Sequence, residues 1–188
     1  KLRKTDLTRA NLNGVTATSA NLTFVTAQGA NLSNSNLTSA TLTGGDFNGS
    51  DMVLAHFDNA TIIHTDFSST LGNYTTWTSA TLTRPTFNDS DLTGANFTSS
   101  VITEFTASGA TLDNVNFSKT NTGLKGADLN GASLTGANVS SIDLSEAKIS
   151  DASLVGATFK NSNLTSVNAQ RSDFSETDLR DANLTRAR

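Results

Sequence analysis

The chain has 188 residues, 13 Lys+Arg against 17 Asp+Glu for a formal charge of −4, and no cysteine. A chain of this size can bury a core of its own, the lack of cysteine excludes a disulfide framework and thiolate metal sites, and a net acidic chain lacks the basic stripe of a nucleic-acid binder. Serine, threonine and asparagine fill roughly four positions in ten, so the chain folds only if a strict period gathers its few apolar residues on one side.

No run of about 18 apolar residues is present, so no transmembrane helix is expected, and no charged-then-apolar leader opens the chain. The charges are segregated. Lys1, Arg3, Lys4 and Arg9 crowd the start, Arg180, Arg186 and Arg188 the end, and between 11 and 118 the only basic residue is Arg84.

From Leu2 onward every fifth residue is apolar or small: Leu7, Leu12, Ala17, Leu22, Ala27, Leu32 and so on to Phe117. After the stretch "SKTNTG" the column resumes two places later at Leu124 and runs to Leu184. Two residues before each centre the side chain is usually small, as at Ala10, Ala20, Ala30, Ala40, Ala127 and Ala132. A period of five matches neither the 3.6 of a helix nor the 2.0 of a flat strand. It suits a coil of short extended segments with a turn every five residues, in which the centre and the residue two before it point inward and each coil covers its neighbours' core.

The segments "ANLSNSNLTSATLTGGDF" and "GADLNGASLTGANV" carry the motif small, Asn/Asp/Thr, Leu/Phe, Ser/Thr, any. The motif resembles that of the pentapeptide-repeat proteins, over essentially the whole chain. The resemblance implies an all-β fold, a right-handed quadrilateral β-helix of about nine coils of 20 residues. It implies a single domain over 1–188, interrupted by one frame slip, a two-residue insertion within 118–123.

Under that geometry, the chain-order expectations for the core are as follows. Where the centre shrinks to alanine the inward position before it grows, as in Val15/Ala17, Val25/Ala27, Phe105/Ala107 and Val167/Ala169, and volume-conserving swaps cost under about 1.5 kcal/mol. Residues 20 apart stack, so Phe47, Phe67 and Phe87 form one internal column, and Phe57, Trp77, Phe97 and Phe117 another on the opposite face. Gly72 leaves a hole in its own column, with Met52, a flexible gap filler, one coil above. In "STLGNYTTW" Leu71 is expected to turn inward through a bulge.

Little of this resembles chemistry. His56 and His64 point outward on different faces, with Asp58 and Asp66 nearby, which does not amount to a metal site. Asp46 and Asp66 stack about 4.8 Å apart, but both are flanked by solvent and lack a pocket for paired acid and base work. No Ser/His/Asp constellation, phosphate loop or zinc spacing occurs, so no catalytic, metal or cofactor-binding residue is expected and the chain reads as non-enzymatic. Twelve Asn-x-Ser/Thr sequons follow from the repeat itself and permit glycosylation without implying it.

Three functions are compatible with such a coil. The first is a structural or protein-interaction rod with an unnamed partner or with itself, head to tail or as a dimer. Neither end of the sequence reads as an apolar-faced capping helix, and the charge gathered there either opposes end pairing or joins a basic first coil to an acidic last one. The second is DNA mimicry of the quinolone-resistance type, which the resemblance implies for one branch of the family and which would make DNA gyrase the partner. It is disfavoured: nine coils span about 45 Å, where DNA carries roughly 26 charges, against −4 here. The third is ice or lattice binding through Thr23, Thr41, Thr43, Thr61, Thr81, Thr83 and Thr103, ranked about 4.8 Å apart with about 7 Å across each pair and interrupted by Ile63 and Val101. That array resembles the Thr-x-Thr ladders of β-helical ice-binding proteins. The Asn/Thr/Ser-rich, lysine-poor composition favours an extracellular or cell-surface location over a bacterial cytoplasm.

Overall fold

The computed structural model describes residues 2–121 and 123–188. Lys1, counted above with the basic start, and Thr122, inside the expected insertion at 118–123, lie outside the described residues. The backbone climbs as a right-handed quadrilateral β-helix whose coils pair in parallel, from Asp6↔Thr26 at one end to Asn163↔Asn183 at the other. Four stacked segments pair fully and form one parallel sheet: β1 (Thr41–Thr43), β2 (Thr61–Ile63), β3 (Thr81–Thr83) and β4 (Val101–Thr103). Their register is Thr41↔Thr61↔Thr81↔Val101 along one edge and Thr43↔Ile63↔Thr83↔Thr103 along the other. The other three faces meet through single bridging residues. The spacing of bridges is 20 residues up to Val101↔Asn121, widens to 22 at Thr106↔Asp128, and returns to 20 at Asp128↔Lys148.

Following the backbone N–H groups through one repeat shows why the motif has its form. A centre donates to the next coil, as Leu22 N–H to the Thr41 carbonyl at 2.8 Å, and so does the corner residue two places on, Phe24 N–H to Thr43 at 2.8 Å. The residue before a centre donates to the previous coil, Thr41 N–H to Ala20 at 2.9 Å, and the small inward residue closes the turn, Ala40 N–H to Leu37 at 2.9 Å. Outside β1–β4, where the full strand pairing engages it, the N–H just after the centre has no such backbone partner. Where Asn or Asp precedes the centre, its side chain accepts that N–H, as Asn36 does from Thr38 (3.0 Å), Asp66 from Ser68 (2.8 Å) and Asp143 from Ser145 (2.8 Å). This is an Asx turn. Where the preceding residue is not Asn or Asp, at Thr76, Thr106, Ser133 and Lys148, the coil above supplies the acceptor. Asp58 takes the Thr78 N–H (2.8 Å), Asn88 that of Ser108 (2.9 Å), Asp113 that of Thr135 (3.1 Å) and Asn130 that of Ser150 (3.0 Å).

Each corner turns with one residue at positive φ, including bulky ones such as Phe24 (56°), Leu54 (60°) and Tyr74 (58°). Among the described residues none of these corners is Thr, Val or Ile, although threonine abounds elsewhere. A branched Cβ suffers most from crowding against the backbone there.

Inside, the rings stack in two columns. Phe47, Phe67 and Phe87 follow at 5.4 and 5.0 Å, and Phe57, Trp77, Phe97 and Phe117 at 4.1, 5.6 and 5.0 Å. The columns meet edge to face, as Phe67 with Trp77 at 5.3 Å and 77°, an arrangement worth about 0.5–1.5 kcal/mol per pair beyond burial. At Ala107 the first column would fail for lack of a ring. Phe105, two residues earlier, takes the place instead, 5.6 Å from Phe87 and 5.8 Å from Phe117. Val25 and Val167 are buried in the same inward position, whereas Val15, in the first coils, remains 38% exposed.

The stretch at 69–77 differs from expectation. Leu71 does not turn inward: it bridges Asp51 and Asp91 in the regular register and is 52% exposed. No bulge is needed because neighbouring coils fill the space at Gly72. A Cβ added there would lie 2.7 Å from Leu92 Cδ2 and 3.8 Å from Met52 Cε. The Gly72 carbonyl accepts the Thr75 hydroxyl at 2.7 Å, and Thr75 in turn accepts Trp77 Nε1–H at 2.8 Å, which satisfies the buried indole.

Two mutant sets test these assignments. Asp58→Ala should lower stability by about 1 kcal/mol in urea unfolding, Asp58→Asn should cost less, and Thr76→Asn placed in the Asp58→Ala chain should restore the loss by capping Thr78 from its own repeat. No rescue would refute the exchange of caps between coils. Phe105→Ala should cost about 3–5 kcal/mol, and adding Ala107→Phe should recover most of it; additive losses would refute the shared ring site.

Candidate functional site

The helix uses its inward residues for packing and its Asn and Asp rows for capping, so any recognition surface must come from the remaining outward positions. The ladder residues fall together on one face. Thr41, Thr61 and Thr81 line one edge of the sheet and Thr43, Thr83 and Thr103 the other, with Ile63 and Val101 completing the rows. Thr23 sits one coil above, beside the bridge Asn21↔Thr41, and its N–H is held by Asn21 at 3.1 Å. All eight outward residues of β1–β4 are therefore β-branched and uncharged, and their Cγ positions are stiff at χ1. Phe24 stands at the upper corner of this face with its ring over Gly44, where an added Cβ would lie 2.6 Å from the ring. The expected core residues Phe47, Phe57, Phe67, Trp77, Phe87, Phe97, Phe105 and Phe117 are all buried and take no part in the surface.

The histidines are exposed and separate. His64 occupies the corner after β2. His56 Nδ1 is 3.0 Å from Thr76 Oγ1, and that hydroxyl donates to Asp58 Oδ2 at 2.7 Å. The hydroxyl proton thus goes to the carboxylate and the imidazole is not oriented by an acid behind it, the reverse of a nucleophile–base–acid relay. Asp46 and Asp66 bridge as expected, with Asp46 accepting from Gln28 Nε2 at 2.7 Å. Among the described residues no group of three or more His, Asp or Glu could hold a metal ion, and no helix is long and apolar enough to cross a membrane.

Opposite charges pair on stacked corners, Arg84 with Glu104 at 2.7 Å and Arg171 with Asp151 at 2.6 Å, and Lys125, beside the corner Gly126, reaches Glu146 at 3.4 Å. These pairs raise the arginine pKa values and, for Asp151, lower the carboxyl's, through the hydrogen bonds between the partners. All are exposed and add little stability. The sequence reading missed the exposed apolar cluster of Leu54, Leu71 and Tyr74. The signal was available, since Leu71 occupies a position that the repeat otherwise gives to Asn, Asp, Thr or Ser on its face.

A family model described as pentapeptide repeats (8 copies) matches residues 1–34, 90–121, 124–161 and 162–188, and one described as a pentapeptide repeat region matches 20–97. No curated protein matches the sequence. Among solved structures, full-length QnrB1, a plasmid-mediated fluoroquinolone resistance protein, is 16% identical over 77% of this chain and 84% of its own, with a TM-score of 0.55. A trypsin-treated form of QnrB1 is 20% identical over 89% of this chain and 83% of its own, with a TM-score of 0.52. HetL, a pentapeptide repeat protein involved in heterocyst differentiation regulation from the cyanobacterium Nostoc sp. strain PCC 7120, is 22% identical over 94% of this chain and 89% of its own, with a TM-score of 0.38. With the repeat models covering most of its length and the coil built as their motif requires, the chain belongs to the pentapeptide-repeat family.

Proposed function

We propose that the chain is a non-enzymatic interaction module whose outer faces meet a protein partner. The observation that carries this is the independence of the faces. The same backbone presents an uncharged β-branched sheet on one side, at β1–β4, and exposed Leu71 between Asp51 and Asp91 on another. Neither pattern is demanded by the core. Self-association belongs to the same reading, because a second copy is one such partner. Immobilised chain exposed to lysate of its source cell should retain a small set of proteins that free chain competes away, a tagged second copy included if it self-associates. Retention of nothing, or turnover of a substrate, would sink the proposal. Binding to DNA gyrase, the rival suggested by the fold shared with QnrB1, is disfavoured by the low charge of −4; the purified chain should leave supercoiling and quinolone sensitivity of gyrase unchanged, and inhibition would put the rival first.

A second reading has its own observation. The sheet face is flat, uncharged and β-branched at every outward position, so methyl groups and hydroxyls recur at the strand spacing of about 4.8 Å. Such a face suits an ordered neutral lattice such as ice. If it binds ice, the chain should show thermal hysteresis that Thr81→Lys abolishes and Thr98→Lys, on another face, preserves. No hysteresis in the unaltered chain would eliminate this reading.

A further inference from the structure

The face opposite β1–β4 carries a cluster of large exposed apolar side chains. Leu71 is 52%, Tyr74 59% and Leu54 48% exposed. Leu54 and Tyr74 occupy corners at positive φ one coil apart on the same edge. Tyr74 is laid flat over Gly94, whose φ is 70° and whose missing Cβ would otherwise lie 2.6 Å from the ring. Leu71 is set in a column of acids, bridged to Asp51 above and Asp91 below. Both carboxylates are held in fixed directions: Asp51 accepts the Val53 N–H at 3.1 Å, and Asp91 accepts the Thr93 N–H at 3.0 Å and its hydroxyl at 2.7 Å. No lysine or arginine lies on this face between residues 11 and 118. The single basic residue of that span, Arg84, sits at the corner after β3 and is engaged by Glu104 at 2.7 Å.

The repeat motif does not call for these side chains. At Asn73 both sources of the cap used elsewhere are apolar, Leu71 before the centre and Val53 in the coil above. Other repeats also go without the cap, but with a polar residue before the centre, as at Thr26, His56, Thr86 and Thr158; only Leu71 and Val101 carry apolar side chains there, and Val101 belongs to the sheet, so the leucine runs against the local rule, and such departures gather at functional sites. Interfaces concentrate their binding energy in a few central anchors, tyrosine prominent among them, and charges around them select the partner.

We infer that Leu54, Leu71 and Tyr74, between Asp51 and Asp91, dock a segment of a partner protein that presents an apolar side chain flanked by lysine or arginine. The apolar anchor covers Leu71 and Tyr74, and the flanking cations meet the two carboxylates. Charge complementarity selects this occupant: anionic lipid headgroups and nucleic acid would be repelled by the same acids. The inference rests on the interaction reading above and names its surface.

The test is selection from a random peptide library displayed on phage, with the unaltered chain as bait. Enriched sequences should place an aliphatic or aromatic residue beside at least two lysines or arginines. A synthetic peptide of that consensus should lose roughly tenfold or more in affinity for Leu71→Asp, lose less for Asp51→Asn or Asp91→Asn, weaken with salt, and be unaffected by Thr81→Lys. Leu71→Asp would stack a third carboxylate between Asp51 and Asp91, so Leu71→Asn, which supplies the cap without the charge, should also bind weakly yet unfold at no lower temperature than the parent, which separates lost binding from lost folding. No enrichment, a consensus without basic residues, or binding indifferent to Leu71→Asp would overturn the surface. In the competed capture, partners retained equally by Leu71→Asp would leave the interaction reading standing and reject only this face; no retained partners would reject both.

Discussion

Outside the fully paired sheet of β1–β4, a backbone that turns every five residues leaves one N–H per repeat without a main-chain acceptor, and much of the structure answers to that fact. An unpaired buried donor costs more than the bond it would make is worth, and the cap recurs in most repeats of the helix. The usual solution is local, an Asn or Asp before the centre. The alternative is borrowed from the coil above, through Asp58, Asn88, Asp113 or Asn130. Borrowing frees the position before the centre for threonine, serine or lysine, and it ties two coils together by a bond that crosses between them. The polar composition that would ordinarily mark a disordered chain is in this way structural.

The interior obeys a second, looser rule. What must be constant along a column is volume, not position: Phe105 fills the ring site that Ala107 vacates, and Leu92 with Met52 fills the one that Gly72 vacates. The small inward column admits hydroxyls as well as alanines because they can donate to nearby carbonyls, as Thr70 to Phe67 at 2.8 Å, Ser100 to Phe97 at 2.7 Å and Ser162 to Val139 at 2.7 Å. Pro85 occupies the same column after β3, where the corner does without an N–H to close the turn.

The period of five and the stacking of residues 20 apart were legible because both are properties of single columns, and the two ring columns followed directly from them. Leu71 was misjudged because a hole at Gly72 was read within one coil, while the side chains that fill it come from the coils on either side. The borrowed caps were invisible for the same reason. Asp58 and the Thr78 N–H that it caps are 20 residues apart, and their link appears only when the sequence is written as a cylinder. On the surface, the Thr ladder could be ranked from spacing, but its full pairing into a sheet could not: Thr76 and Thr78 flank a centre in the same way, yet lie between His56/Asp58 and Asn96/Thr98 and make only bridges.

These constraints also determine where the chain can carry information. The centre and the residue two before it are committed to volume, the corner excludes β-branched residues, and the residue before the centre is in most repeats an Asn or Asp that caps or a polar residue. Variation that serves recognition is therefore confined to the residue after the centre, to the corner's side chain, and to places where the cap is given up. The β1–β4 face replaces it in four consecutive coils by strand pairing between β-branched residues, and position 71 gives it up for an exposed leucine. A coil of this kind signals its function by the positions at which it departs from its own repeat, and in this chain the two largest departures lie on opposite faces and differ in charge: one neutral, the other acidic.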